Sequence, residues 1–167
     1  GGSYEVIPDQ IEAGTYMFAA AATRGNVLIK NVVTKHLEAI TSKFEEMGVE
    51  IQEGDGEIRV NAENAELSKI KVKTLPYPGF PTDMQSQIMS VLAKARGKSC
   101  IVENVFESRF HIVTELEKMG ANITIDNYRA YICGTDKLIG TTVVSRELRG
   151  GAALIIAGVC AESKTEV

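Results

Sequence analysis

The sequence predicts an α+β fold built from repeated β-α-β-α-β-β units whose most apolar helices are turned inward. Three observations carry that prediction. Segments recur at a fixed spacing, each copy opens with a helix that is apolar almost all round, and each complete copy closes with a hairpin of alternating residues. Ala22-Thr23-Arg24-Gly25 leads to Asn31-Val32 and then to Phe44-Glu45-Glu46-Met47-Gly48-Val49-Glu50-Ile51. Lys94-Ala95-Arg96-Gly97 leads in the same way to Asn104-Val105 and then to Leu116-Glu117-Lys118-Met119-Gly120-Ala121-Asn122-Ile123. Gly25 to Gly48 and Gly97 to Gly120 have identical spacing, and a third copy opens at Leu148-Arg149-Gly150-Gly151. Repeats of this length are supersecondary units that bury against their neighbours a face they cannot bury alone. Repeat one is expected over about 11–60, repeat two over about 80–134, and the start of repeat three over about 141–167, so that the chain reads as part of something larger.

The elements follow in order. Met17-Phe18-Ala19-Ala20-Ala21-Ala22, Ile88 to Ala95 and Ala152 to Ala161 have no polar face and belong inside. Arg24-Gly25 and Arg96-Gly97 read as helix stops, with glycine as the left-handed residue, and Ser163 stands at that place in the third copy. A strand comes next, Val27 to Val32 or Ser99 to Asn104. The helix after it is one-sided: Leu37, Ile40, Phe44 and Met47 form one stripe, and Ile112, Val113, Leu116 and Met119 the other. Lys35, Glu38, Lys43 and Glu45 are left for solvent. Met-Gly ends each helix. The hairpin then uses Val49 and Ile51, a turn at Glu53-Gly54-Asp55-Gly56, and Ile58 and Val60; its second copy uses Ile123 and Ile125, a turn near Asp126-Asn127, and Ala130 to Cys133. Residues 61–71 form a polar linker running through Val72 and Leu75 into Pro76-Tyr77-Pro78-Gly79-Phe80-Pro81, whose prolines exclude regular structure. A stiff loop at a helix entrance serves either function or plain connection.

Composition narrows the function classes. A chain of 167 residues, 44% hydrophobic and 24% charged, is one ordinary globular domain with enough apolar content for a core. A net charge of −4 argues against a nucleic-acid surface, which needs clustered Lys and Arg, but leaves room for a small anion held by a few arginines. The longest apolar stretch, Ala152 to Ala161, is about half of the ~20 residues that span a bilayer, so no membrane segment is expected. No signal-peptide pattern is visible, and Gly1-Gly2-Ser3 reads as an expression scar outside the fold. Cys100, Cys133 and Cys160, an odd number in apolar runs, suit reduced thiols in a cytoplasmic protein, with Cys133 and Cys160 in the core.

Three places could carry chemistry. Thr82 or Asp83 at a helix entrance is either an N-cap or, for Asp83, a carboxylate free to take a proton from a ligand hydroxyl. Between strand and outer helix, the second copy has Asn104 to Phe110 where the first has the shorter Asn31 to Lys35, so Phe106 and Arg109 depart from what the repeat itself needs. Arg109 either grips a phosphate or carboxylate with its planar fork or pairs on the surface with Glu107 or Glu115. At Arg149-Gly150-Gly151 the glycines either expose helix N–H groups to an anion or let two helices approach. His36 and His111, at the starts of outer helices, have no ligand-spaced neighbours and suggest no metal site.

Val6-Ile7-Pro8-Asp9-Gln10-Ile11-Glu12-Ala13-Gly14-Thr15, Phe80-Pro81-Thr82-Asp83-Met84-Gln85, Val105-Phe106-Glu107-Ser108-Arg109-Phe110 and Leu148-Arg149-Gly150 resemble, in order and spacing, motifs of the enolpyruvyl transferase family. The resemblance runs from Tyr4 to Val167 and is closest to the members that act on UDP-N-acetylglucosamine. It implies an inside-out α/β barrel domain, one of two around a cleft, and no cofactor. The implied reaction moves the enolpyruvyl group of phosphoenolpyruvate to the 3′-hydroxyl of UDP-N-acetylglucosamine, the first committed step of peptidoglycan synthesis. By matching motif, Asp83 resembles the carboxylate that contacts the sugar hydroxyl, and Val105 the residue that binds the nucleotide sugar through its backbone. Arg109 and Arg149 resemble cleft arginines near the transferred group, and Phe106 and Leu148 its wall.

Departures accompany the resemblance. None of Cys100, Cys133 or Cys160 matches the family's loop cysteine, and the Lys-Asn pair near the family's N-terminus and the Arg-Gly segment expected soon after Val167 are missing. These are expected in a missing partner domain and beyond Val167, which would leave this part alone unable to catalyse. Two alternatives remain: a domain like 5-enolpyruvylshikimate-3-phosphate synthase, which lacks the Phe-Pro-Thr-Asp segment, and a non-catalytic binding module on the same repeat.

Overall fold

The computed structural model describes residues 1–107 and 109–167; Ser108, inside one of the motifs above, lies outside the described residues. The first unit comprises α1 (Gln10–Ala22), β1 (Asn26–Lys30), α2 (Glu38–Met47) and the hairpin β2 (Glu50–Gly54) and β3 (Glu57–Asn61). These three strands form an antiparallel sheet in the order β1-β3-β2. Asp9 caps α1 by accepting the Ile11 N–H at 2.7 Å, which uses a donor the first turn cannot satisfy itself. Both strands after the inner helices end two residues before the expected points, and in the first unit left-handed Asn31 (φ 58°) breaks the ladder.

Helix stops follow one pattern, with two corrections. Beyond α1 the Gly25 N–H reaches the Ala20 carbonyl and the Arg24 N–H that of Ala21, the paired bonds of a Schellman ending. The left-handed residue is therefore Arg24 (φ 53°), not Gly25, because it falls between the two donors. Gly48 (φ 92°) and Gly120 (φ 89°) hold the equivalent place after the outer helices. Gly97 (φ 94°) is left-handed, but Arg96-Gly97 is not the stop of the helix before it, which ends at Leu92 and is followed by turns over Ala93 to Ala95.

The second unit comprises β4 (Lys71–Lys73), α3 (Gln85–Leu92), β5 (Lys98–Val102), α4 (Val113–Lys118), β6 (Asn122–Asp126) and β7 (Arg129–Cys133). Its sheet runs β4-β5-β7-β6, with β4 parallel to β5 and the rest antiparallel. Strand β4 falls in the predicted linker and completes the β-α-β-α-β-β order; with only Val72 buried among three residues, it is too short to show a period. Strand β8 (Leu138–Ile139), α5 (Leu148–Val159) and the parallel partner β9 (Ala161–Glu162) repeat its opening β-α-β. The α+β fold class is as expected.

Helices α1, α3 and α5 pack on one another in the interior. Every residue of α3 is buried, including the polar Gln85, Ser86, Gln87 and Ser90. Ser90 is tolerated because its hydroxyl donates to the Ala153 carbonyl of α5 at 2.8 Å. Asp83 to Arg149, Ser90 to Ala153 and Lys94 to Cys160 are successive contacts along the pair, so α3 and α5 run side by side in one direction. Both predicted outer stripes, from Leu37 to Met47 and from Ile112 to Met119, are buried. Helix α5 differs from the expectation of full burial: Ile155 (57% exposed) and Val159 (60%) face outward, since no outer helix or hairpin of its own unit covers them among the described residues. Cys133 and Cys160 are half-buried instead of core, because each lies at an element's end. The three thiols are free, and burial raises that of Cys160.

Glu115 of α4 ties the second unit to the third. It is buried (5% exposed), accepts both bonds of Lys118 Nζ at 2.9 and 2.7 Å, and accepts the Val144 N–H at 3.0 Å ahead of α5. The Lys118 bonds, then the Val144 N–H, hold its carboxyl below the ordinary value of 4.5. A lowered folded-state value adds stability above the unfolded value and loses it as pH falls through the folded one. Glu115→Gln should therefore lower the urea midpoint most at neutral pH, with the gap to wild type closing as the solution is taken well below pH 4.5.

Candidate active site

The proline-rich loop between β4 and α3 is closed on itself. The Leu75 N–H donates to the Phe80 carbonyl at 3.0 Å, the Gly79 N–H to that of Pro76 at 2.8 Å, and Phe80 is buried. A 3-10 turn, Thr82–Met84, then enters α3. Pro81 stands at its N-cap, and neither this turn nor α3 has a side-chain cap, so the capping reading of Thr82 and Asp83 is overturned. Both side chains face partners from elsewhere in the chain.

Asp83 lies between two arginines. Arg109 Nη2 donates to its Oδ1 at 2.8 Å and Arg149 Nη2 to its Oδ2 at 3.3 Å. Arg109 Nη1 also donates to Thr82 Oγ1 at 2.8 Å, and the guanidinium sits 4.9 Å from the centroid of the Phe106 ring. Arg109 thus pairs with Asp83, and not with Glu107 or Glu115; Glu115 is already engaged by Lys118 and Val144. Thr82 and Asp83 before α3, Arg109 from the loop after β5 and Arg149 from the first turn of α5 meet at one end of the inner bundle. The N-terminal ends of two parallel helices also add positive potential there.

Two expectations about backbone groups change. Glu147 caps α5, its Oε2 accepting from Arg149 N at 3.0 Å and its Oε1 from Gly150 N at 2.6 Å. A Cβ on Gly150 would stand 2.8 Å from Glu147 Oε1, and one on Gly151 2.7 Å from Ser145 Oγ. Gly150 therefore makes room for this cap and Gly151 for the Ser145 hydroxyl. The cap takes the Arg149 and Gly150 N–H groups, and the atoms nearest either Cβ position are those of Glu147 and Ser145, not of another helix. Arg149 contributes through its side chain. The Val105 N–H is engaged by Glu103 Oε1 at 2.9 Å, so a backbone contact from Val105 to a ligand falls to its carbonyl.

Phe106 (52% exposed) and Leu148 (77% exposed) present apolar surface beside these charges. A cleft of about 360 Å³ runs from Pro76-Tyr77 past Thr82 and Asp83 to Val105-Phe106. A larger concavity of about 570 Å³, between Val6-Ile7 and His36, has neither Thr82 nor Asp83 in its lining, whereas the smaller one has both. His36 stands edge-on to Tyr77 at 6.2 Å. Among the described residues, no three His, Cys, Asp or Glu side chains group to hold a metal. The sequence reading did not single out Glu103 or Thr74, which lie behind Thr82: Glu103 Oε1 accepts from Thr74 and Oε2 from Thr82. The signal available for Glu103 was the contrast between the two copies after their first strands.

Chemically, the arrangement is a half-exposed carboxylate with an arginine on each oxygen. An anion that draws either guanidinium away frees a lone pair of Asp83 to accept a proton.

A sequence profile of the family described as EPSP synthase (3-phosphoshikimate 1-carboxyvinyltransferase) matches residues 1–167. The chain belongs to this family. It is 51% identical to a UDP-N-acetylglucosamine 1-carboxyvinyltransferase from Desulfofundulus thermocisternus, covering 98% of this chain and 67% of that one. It is 53% identical to UDP-N-acetylglucosamine 1-carboxyvinyltransferase 3 from Caldanaerobacter subterraneus subsp. tengcongensis, covering all of this chain and 40% of the relative. The chain thus spans well under half the length of several of its curated relatives, as with the Clostridium botulinum enzyme (50% identical, 40% of its length). Among solved structures, the enolpyruvyl transferase NikO from Streptomyces tendae superposes with TM-score 0.79 at 24% identity, over 91% of this chain and 36% of that one. EPSP synthase from Acinetobacter baumannii superposes with TM-score 0.75 at 18% identity, over 98% and 39%. These two share the enolpyruvyl transferase fold with the chain.

Arg109 is the family member's most engaged cleft cation, with one plane bridging Thr82 and Asp83. Arg109→Lys keeps the charge but cannot span both acceptors, and should lower stability by about 1 kcal/mol in urea unfolding. Arg149→Lys, which loses one longer bond, should cost less.

Proposed function

We propose that the chain is part of an enzyme transferring the enolpyruvyl group of phosphoenolpyruvate to the 3′-hydroxyl of UDP-N-acetylglucosamine. The observation that carries this reading is Asp83 held between Arg109 and Arg149 at the rim of a cleft. Relatives about half identical and named for that nucleotide sugar support the substrate over shikimate 3-phosphate. The residue ranges given above, with repeats at about 11–60, 80–134 and 141–167, form one domain of the parent, and the other jaw of the cleft comes from a second domain. Neither metal nor cofactor enters the proposed chemistry, the setting is the cytoplasm, and the product feeds peptidoglycan synthesis.

A sugar hydroxyl is a weak nucleophile at neutral pH and must lose its proton as the C–O bond forms. Asp83 is the base, and it must come within about 2.6–3.2 Å of that hydroxyl. Arg109 and Arg149 bind the compact polyanion and offset charge on the departing phosphate. Their transfer from Asp83 to the anion couples phosphoenolpyruvate binding to release of the base. The Val105 carbonyl orients the nucleotide sugar, while Phe106 and Leu148 line the cleft and limit water.

The deciding experiment compares full-length wild type with Asp83→Ala, following phosphate release with both substrates. Turnover should fall by about 10²- to 10⁴-fold, the usual contribution of a positioned base. Near-normal turnover would remove Asp83 from the mechanism. The chain by itself should not turn over, and adding the complementary part of the polypeptide should restore activity.

A further inference from the structure

We propose that Glu103 is a positioning residue for this site. Through Thr82 it sets where Arg109 and Asp83 stand, and through two backbone amides it sets the course of the loop carrying Val105 and Phe106. The inference rests on the transferase reading and adds a residue on which that site depends.

Glu103 follows β5 and is 2% exposed. Its Oε1 accepts from Thr74 Oγ1 at 2.8 Å, from the Val105 N–H at 2.9 Å and from the Phe106 N–H at 3.2 Å. Its Oε2 accepts from Thr82 Oγ1 at 3.0 Å. This set of donors is what a carboxylate needs in order to stand inside a protein. A threonine hydroxyl has one proton, and that of Thr82 goes to Glu103. Its lone pairs are thereby turned outward, and Arg109 Nη1 donates to one at 2.8 Å while Nη2 of the same plane reaches Asp83. The guanidinium is pinned at two points, and one of them traces back to Glu103. Thr74 in turn accepts the Asn104 N–H at 2.9 Å, locking the end of β4 to the same turn.

The repeat supplies a control. In each complete unit a residue just beyond the first strand gives its N–H to the carbonyl at the hairpin tip: Val32 to Gly56 at 3.0 Å, and Glu103 to Tyr128 at 2.8 Å. The first unit reaches that bond one residue later, past exposed, left-handed Asn31, which strand register equates with Glu103, and makes it from buried Val32. Neither residue is charged, so the shared fold does not call for a charge there. The unit bearing Asp83 and Arg109 buries a carboxylate instead, and all four of its side-chain bonds run to the elements that frame the cleft.

The test uses the full-length polypeptide and variants that keep side-chain shape. Thr82→Val deletes the connecting hydroxyl; Glu103→Gln keeps the volume but replaces one acceptor oxygen by a donor. Each should lower kcat about tenfold to a hundredfold, as expected for a reacting group displaced by an ångström, with KM for the nucleotide sugar changed far less. Thr82→Ser should recover most of the loss. The double variant should be no worse than the poorer single one, since both cut the same path. Amide hydrogen exchange reads the loop without any turnover: Val105 and Phe106 should lose protection in Glu103→Leu, which removes the Oε1 acceptor they share, and keep it in Thr82→Val. Unchanged kcat in Glu103→Gln, even where Thr82→Val loses turnover, or fully additive losses in the double, overturns the positioning role even if protection falls. Unchanged protection in Glu103→Leu overturns the hold on the loop. Failure of wild type itself to use the nucleotide sugar would refute the transferase reading, and the exchange result would still decide whether Glu103 holds the loop.

Discussion

Burial of α3 on every side is the constraint on which the rest depends. A helix whose eight residues are all inside cannot slide or rotate without breaking contacts with both α1 and α5. Its entrance is stiffened by a loop of three prolines and closed by the Leu75–Phe80 and Gly79–Pro76 bonds. Asp83 therefore stands on a fixed point although the residue itself is 39% exposed. Because α5 runs parallel to α3, the first turn of α5 arrives at the same end and brings Arg149 within reach. The loop after β5 arrives there too, since β5 leaves α3 and returns along the sheet. Convergence of three side chains distant in the sequence is thus a consequence of inner-helix packing.

Much of this was legible in the sequence, and the reason is periodicity. Leu37 to Met47 and Ile112 to Met119 repeat at helical spacing, so both outer helices and their buried stripes could be read directly. Two copies of one unit also made Arg109 and Phe106 visible as departures. What escaped lacked a period or depended on a distant partner. Strand β4 has one buried residue and no pattern to detect. The left-handed place after α1 went to Arg24 and not to the neighbouring glycine, because hydrogen-bond register and not residue preference selected it. Asp83 carries the usual chemistry of an N-cap, and only the arrival of two guanidinium groups turns its side chain away. Glu147, on the other hand, caps α5 with a side chain longer than the usual cap, and it fills the helix end that the glycine pattern had left open to an anion.

Two carboxylates a few residues' reach apart illustrate how partners decide what one chemical group can do. Glu103 is enclosed and is bound by hydroxyls and backbone amides, donors that belong to the framework and do not leave. Asp83 is bound by the tips of two long side chains, at an edge that solvent reaches. Arginine heads can exchange one anion for another at modest cost near a surface, because each lost bond is replaced by one of similar kind. The first carboxylate is therefore suited to hold geometry and the second to change partners. A ligand bound there as proposed would also cover exposed Phe106 and Leu148, and the guanidinium–anion contacts would strengthen as the local dielectric falls. An enclosed acid behind a more exposed ion pair would let such a site rearrange its charges while the framework bonds hold its backbone.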